Sequence, residues 1–164
     1  MSVDGRDQHS AADALRGPLP LVGPVGLGGL GLLHVAWAMG WRWPGGSDEA
    51  WAERVAGTTE MPTVAETWSA AVVLLGAAGV VGAANSHAAR LRPMRRVVRL
   101  AAWGAAGVLI GRSVFFLPAD LSGRAGIFNK LDMTVYAPLS AFLGTSIAAS
   151  LRRTAREARS GDRD

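Results

Sequence analysis

Between Leu19 and Gly40 the chain runs for 22 residues in which the only ionisable side chain is His34. Crossing the hydrocarbon core of a bilayer takes about 20 predominantly apolar residues in a helix rising about 1.5 Å each. A cleaved signal peptide needs an apolar stretch of only about 7–15, led by basic residues. The block is long enough to span, and the residues before it (Asp4, Arg6, Asp7, Asp13, Arg16) mix acids with bases. Three further blocks of similar length follow, Ala65 to Asn85, Val97 to Leu117 and Met133 to Leu151, the last without a formal charge. Pro18, Pro62, Pro93 and Pro118 punctuate their ends, positions that suit a residue with no backbone donor. A soluble bundle would need a polar stripe on every helix, and Leu19 to Leu33 has none. The expected fold class is therefore all-α: an integral membrane bundle of four transmembrane helices. Residues 1–17 form a soluble cytoplasmic tail, 18–151 the transmembrane domain, with helices at about 19–40, 65–85, 97–117 and 133–151, and 152–164 a basic cytoplasmic tail. Pro24 and Pro138 fall inside helices, which lipid tolerates where neighbours satisfy the freed carbonyls.

A sequence pI near 10.9 first suggests a nucleic-acid partner, but the charge is not spread as a binding face. The basic residues crowd at Arg90 to Arg99 and Arg152 to Arg163, each group beside an apolar block. That is the pattern of membrane-flanking charge, so no nucleic acid is expected. Two basic residues precede helix 1, five lie from Arg90 to Arg99 and five follow helix 4, against two each in loops 1 and 3 (Arg42, Arg54; Arg124, Lys130). The excess of positive charge stays on the cytoplasmic side. Both termini and the second connection should then face in, the first and third out, in the cell membrane.

With that orientation, His34, Glu66, Arg112 and Asp132 all fall in the outer half of the bundle, and Asp132 and Tyr136 stand one turn apart. Arg112 is expected either to snorkel to the headgroups along its apolar stem or to pair with Glu66 or Asp132. Trp41, Trp43 and Trp51 read as an aromatic belt at the outer interface. Trp37, one turn from His34, reads instead as lining the same cavity. Ionisable groups inside a membrane are costly and usually functional. We therefore take His34, Trp37, Glu66, Arg112, Asp132 and Tyr136 as ligand-pocket candidates. There is no cysteine and no zinc-ligand spacing, phosphate loop or nucleophile elbow, so neither metal nor cofactor is expected. Glycines crowd helix 1 (Gly23, Gly26, Gly28, Gly29, Gly31), helix 2 (Gly76, Gly79, Gly82) and helix 3, where Gly107 and Gly111 make a GxxxG pair. Such residues let helix backbones approach within the chain, or against a second copy or another membrane protein.

The segment His34-Val35-Ala36-Trp37-Ala38-Met39-Gly40, followed by Trp43-Pro44, resembles the HxxWAxG…WP opening of a family of small bacterial membrane proteins defined as a domain of unknown function. A Gly57-containing loop, an arginine in the outer part of helix 3 and Tyr136-Ala137-Pro138-Leu139 extend the resemblance over roughly Leu21 to Leu151. It implies four helices and a shared role for His34, Trp37, Trp43, Pro44, Arg112, Tyr136 and Pro138, and it implies no activity.

The leading expectation is a multi-pass membrane protein that binds a small amphiphilic or lipid-like ligand in a pocket opening to the outer leaflet. One alternative is a membrane enzyme acting on a lipid or isoprenoid, with His34 or Glu66 as acid–base group and Arg112 on an anionic head. Another is an accessory subunit of a larger membrane complex.

Overall fold

The computed structural model describes residues 17–58, 60–86, 93–115 and 126–160. The expected N-terminal tail up to Arg16, the basic residues Arg90 and Arg92, the end of the third block with Leu117 and Pro118, Arg124 in the third connection, and the last four residues lie outside them. Every regular element among the described residues is helical. The four long ones are α1 (Leu19–Ala38), α3 (Val64–Asn85), α4 (Arg95–Phe115) and α6 (Ala137–Ser160). Between α1 and α3 lie the short α2 (Asp48–Trp51) and a π-helical turn, Ala52–Ala56. α5 (Ile127–Leu131) and a second π-helical turn, Asp132–Tyr136, lead without a break into α6.

Four stretches are long and apolar enough to cross a membrane: Leu19–Ala38, Val64–Asn85, Arg95–Phe115 and Ile127–Glu157. Their large apolar side chains point outward as often as inward. Leu21, Val25, Leu32, Val72, Val73, Leu100, Val108 and Phe142 are all exposed, an arrangement that water would penalise and lipid tails accept. The protein is a multi-pass membrane protein surrounded by lipid bilayer.

The last span begins earlier and runs longer than the apolar pattern indicates. Gly126 is its extended N-cap, so Lys130 and Asp132 lie within helical structure. Beyond Leu151 the run Arg-Arg-Thr-Ala-Arg-Glu continues α6 out of the apolar zone, because Arg, Ala and Glu are good helix formers. α1 stops at Ala38, and Gly40 takes a φ of +100°, which turns the chain.

Packing runs in a ring, α1 against α3, α3 against α4, α4 against α6, and α6 back against α1. The core is small: Leu27, Val81, Ala84, Ala102, Ala106, Ile147 and Leu151. Close approach is concentrated at a few glycines. A Cβ on Gly144 would lie 2.8 Å from Ile110 and 3.0 Å from the Ala106 carbonyl oxygen. Gly23 and Gly26 sit against Ile147 and Leu143, and Gly31 against Leu75. The GxxxG pair Gly107 and Gly111 behaves otherwise: nothing lies within 4 Å of a Cβ at either position, nor at Gly76 or Gly79. Those glycines are exposed, so their spacing marks no contact among the described residues.

The two interior prolines are accommodated differently. Pro24 has no N–H for the carbonyl four residues back, which is that of Pro20. The Asn85 side chain supplies the missing donor, Nδ2 to Pro20 O at 3.1 Å, across the α1–α3 interface. Beneath Pro138, which likewise lacks a donor, the helix widens into the π turn that Ala137 N–H closes on Asp132 O.

The capped end of the bundle

The connection between α1 and α3 folds into a cap. Trp37, near the end of α1, donates Nε1–H to the carbonyl of Trp43 at 2.8 Å, pulling the chain back over the helix terminus. Arg42 donates to the Trp37 carbonyl at 2.9 Å and pairs with Asp48. Ser47 caps α2 through Ala50 N–H, and Trp43-Pro44 is a cis peptide. The short helix then drives Trp51 inward, 3% exposed, edge-on to Trp37 at 5.1 Å between ring centroids. Trp37, Trp51 and Ala52 form a separate apolar cluster, with Leu33, Val55 and Met61 around it. Trp51 is therefore a core residue of the cap and no part of an aromatic belt. Trp41 and Trp43 are exposed and stacked on each other at 5.7 Å.

The cap is fastened to the last span. Arg54 donates to the carbonyls of Pro44 and Gly45, and its own carbonyl accepts the Tyr136 hydroxyl at 3.2 Å. Gly57 ends the π turn with φ +68°, a left-handed conformation that only glycine adopts at little cost. It presses on the Phe128 ring, which would stand 2.8 Å from any Cβ there. Phe128 in turn lies 6.2 Å from the Tyr136 ring.

Below this contact lies the ion pair. Arg112 Nη2 donates to Asp132 Oδ1 at 2.7 Å; the Asp132 side chain is wholly buried and that of Arg112 is 32% exposed. Of the two acids at matching depth, the arginine takes Asp132. The second carboxylate oxygen, Oδ2, is buried with no hydrogen-bond partner among the described residues, and so is the indole N–H of Trp51. Tyr136, half-buried and one turn on, lies within electrostatic reach of both charges.

His34 is half-buried. Its Nδ1 stands 2.8 Å from the Leu30 carbonyl, which can only accept, so Nδ1 carries the proton. Its ring meets Trp37 edge-on at 4.8 Å. Five of the six candidates thus belong to two neighbouring groups tied together through the cap: His34 and Trp37 on α1, and Arg112, Asp132 and Tyr136 across α4 and the last span.

Glu66 is not brought to them. It is exposed and closes a capping box at the start of α3, accepting from Thr63 N–H at 2.7 Å and Thr63 Oγ1 at 2.8 Å, while Thr63 Oγ1 accepts Glu66 N–H. Of the two acid–base candidates, Glu66 is thus engaged in the cap of its own helix. Arg54, Phe128 and Trp51 were not singled out as site residues from the sequence. The Thr63-Val64-Ala65-Glu66 signature, by contrast, was open to reading as a cap. Among the described residues, no group of three or more His, Asp or Glu side chains is placed to hold a metal ion.

Four lipid-facing spans closed at one end by a folded cap define a multi-pass, all-helical membrane protein with a buried charge pair beneath that cap. Residues 27–147 match the family described as "Protein of unknown function (DUF3995)", and the chain belongs to it. No curated protein and no solved structure matches the chain. The matched region contains the whole cap, both partners of the ion pair, and the contacts from Gly57 and Tyr136 that join them.

Proposed function

We propose that this protein binds a small amphiphilic or lipid-like molecule at the capped end, in a pocket opening to the outer leaflet of the cell membrane. The orientation rests on the crowding of arginines at the opposite end. The reading is carried by the Arg112–Asp132 pair. A fully buried carboxylate in an apolar bundle is costly to keep. Its presence makes sense if it fixes the angle of the Arg112 guanidinium, on a side chain one third exposed, beside an anionic head. Phe115, three residues on from Arg112 along α4 and exposed, would meet the apolar body of such a molecule. His34 and Trp37 would contribute through the cap.

The test is mass spectrometry of what co-purifies in a mild neutral detergent. Wild type should carry a defined anionic amphiphile that the neutral pair variant Arg112→Gln/Asp132→Asn, folded in the same detergent, does not. The same molecules at the same ratio in both would overturn the reading.

One observation favours a second reading, an accessory subunit or homodimer. Gly104, Gly107 and Gly111 line one outward stripe of α4 that no side chain among the described residues covers. Crosslinking of single cysteines placed along that stripe, in membranes, distinguishes a helix partner from lipid.

A further inference from the structure

At the end of the bundle opposite the cap, α4 and α6 bring their arginines to one level. Gly144 meets Ala106 and Ile110, and Arg152 lies over the Trp103 ring with its guanidinium carbon 5.7 Å from the centroid. The same antiparallel register carries Arg156 to the level of Arg99, one turn further out. On α4, Arg95 and Arg99 continue by helical spacing the stripe of the buried Ala102 and Ala106. Arg99 is half-buried on that stripe, and Arg95, one turn further out, is exposed. Arg95, Arg96, Arg99, Arg152, Arg153 and Arg156 thus share two adjacent helix ends. Among the described residues of that end the only acid is Glu157, held by Arg153 at 2.9 Å.

Like charges brought together on rigid helices repel, and salt screens them least where they are partly buried. Anionic charge placed among such a cluster is favourable. The apolar surroundings say what kind. Val97 and Leu100 are exposed on α4 in the same turns as the arginines, and Met94 is exposed just before it, so an occupant has hydrocarbon beside its charge. The Trp103 ring holds the Arg152 guanidinium by cation–π attraction at the helix seam. We infer that the α4–α6 seam binds the phosphate headgroup of an anionic phospholipid. Arg95, Arg99 and Arg152 contact the phosphate oxygens, and the acyl chains lie along Val97 and Leu100. A headgroup with two phosphates fits six arginines on two helices better than one with a single phosphate. Basic recesses between membrane helices recognise such lipids by this chemistry. The inference concerns the opposite end from the Arg112 site and stands independently of it.

Native mass spectrometry of the full chain in a neutral maltoside detergent tests it, with diphosphatidylglycerol, phosphatidylglycerol and phosphatidylcholine as probes and inorganic phosphate as competitor. Wild type should retain diphosphatidylglycerol roughly tenfold more tightly than phosphatidylcholine. Arg95→Gln/Arg99→Gln/Arg152→Gln should lose that preference. Trp103→Leu, which keeps every charge, should weaken it several-fold. Equal retention of all three lipids by wild type would overturn the inference without any variant. So would an undiminished preference in the folded triple variant, or inorganic phosphate held with no preference among lipids. If the triple variant does not fold, the wild-type preference and Trp103→Leu decide the matter.

Discussion

The Arg112 guanidinium lies 2.7 Å from the Asp132 carboxylate, and of the two side chains only the arginine reaches the surface. Removing one member of an enclosed pair costs about 3–5 kcal/mol, because it strands the other charge. Water at Arg112 lowers this to about 2 kcal/mol. Arg112→Ala should therefore lower the melting temperature in detergent, and adding Asp132→Ala should lower it little further. Adding Glu66→Ala should instead take off its own full increment, since Glu66 serves the α3 cap. Additive losses for the Arg112/Asp132 double variant would show that the pair contributes nothing as a pair.

Asn85 and Pro24 should be coupled although they do not bond each other. Asn85→Ala leaves the Pro20 carbonyl without a donor, a loss of about 1 kcal/mol. In a Pro24→Ala background the restored N–H supplies that donor, and Asn85→Ala should cost almost nothing. A double-mutant cycle on thermal stability measures this directly. A coupling indistinguishable from zero would mean the Asn85 amide is not what satisfies α1.

Two glycines of one helix pair should respond in opposite ways to the same change. Gly144→Ala forces a methyl against Ile110 and the Ala106 carbonyl and should destabilise by about 1–3 kcal/mol. Gly107→Ala meets nothing among the described residues and should be neutral or stabilise the monomer by about 0.5–1 kcal/mol through helix propensity. Unfolding in detergent at concentrations that keep the protein monomeric reads both. Equal losses would contradict the packing described.

Tyr136→Phe removes only the hydroxyl that donates to Arg54 O. The expected global loss is small, about 0.5–1.5 kcal/mol, but the cap should open more often. Amide exchange across Ala52–Ala56 should quicken, while that of Val72 to Val81 in α3 stays unchanged. Unaltered exchange in the cap would show that the Phe128–Gly57 contact alone holds it.

The orientation has its own test. Reporter fusions after Arg90 and after Asp164 should report cytoplasm, and an insertion after Gly57 should report the far side. A cytoplasmic signal at Gly57 would reverse the leaflet assigned to the Arg112 site.

How far each feature was legible depended on its physics. Four spans were readable because length and apolarity against bilayer thickness are one-dimensional properties of a sequence. That the carbonyl freed by Pro24 would draw on a neighbour followed from the sequence, but the donor's identity, Asn85, did not, since it depends on which helices touch. Trp51 and Trp41 are the same residue ten positions apart, and nothing local separates a tryptophan buried in a cap from one lying at an interface. The α2 turn, set by Ser47 and Asp48, makes the difference. Glycine abundance concealed which glycines pack: Gly144, isolated in its block, is a close contact, while the GxxxG pair is not. For Arg112, the sequence left Glu66 and Asp132 as equal partners. A capping box at Thr63 was the local signal that Glu66 was already engaged.

The Asn85 bond to Pro20 O, between residues 65 apart in the chain, also bears on how the protein is made. The first span leaves the translocation machinery with a carbonyl, at its very start, that its own backbone cannot satisfy. That donor is synthesised only as the second long span is completed. Until then α1 is an incomplete unit, best kept beside the machinery or at the lipid interface near Pro20. The two spans are thus suited to enter the bilayer as a hairpin, with biogenesis ordered by a single side-chain amide.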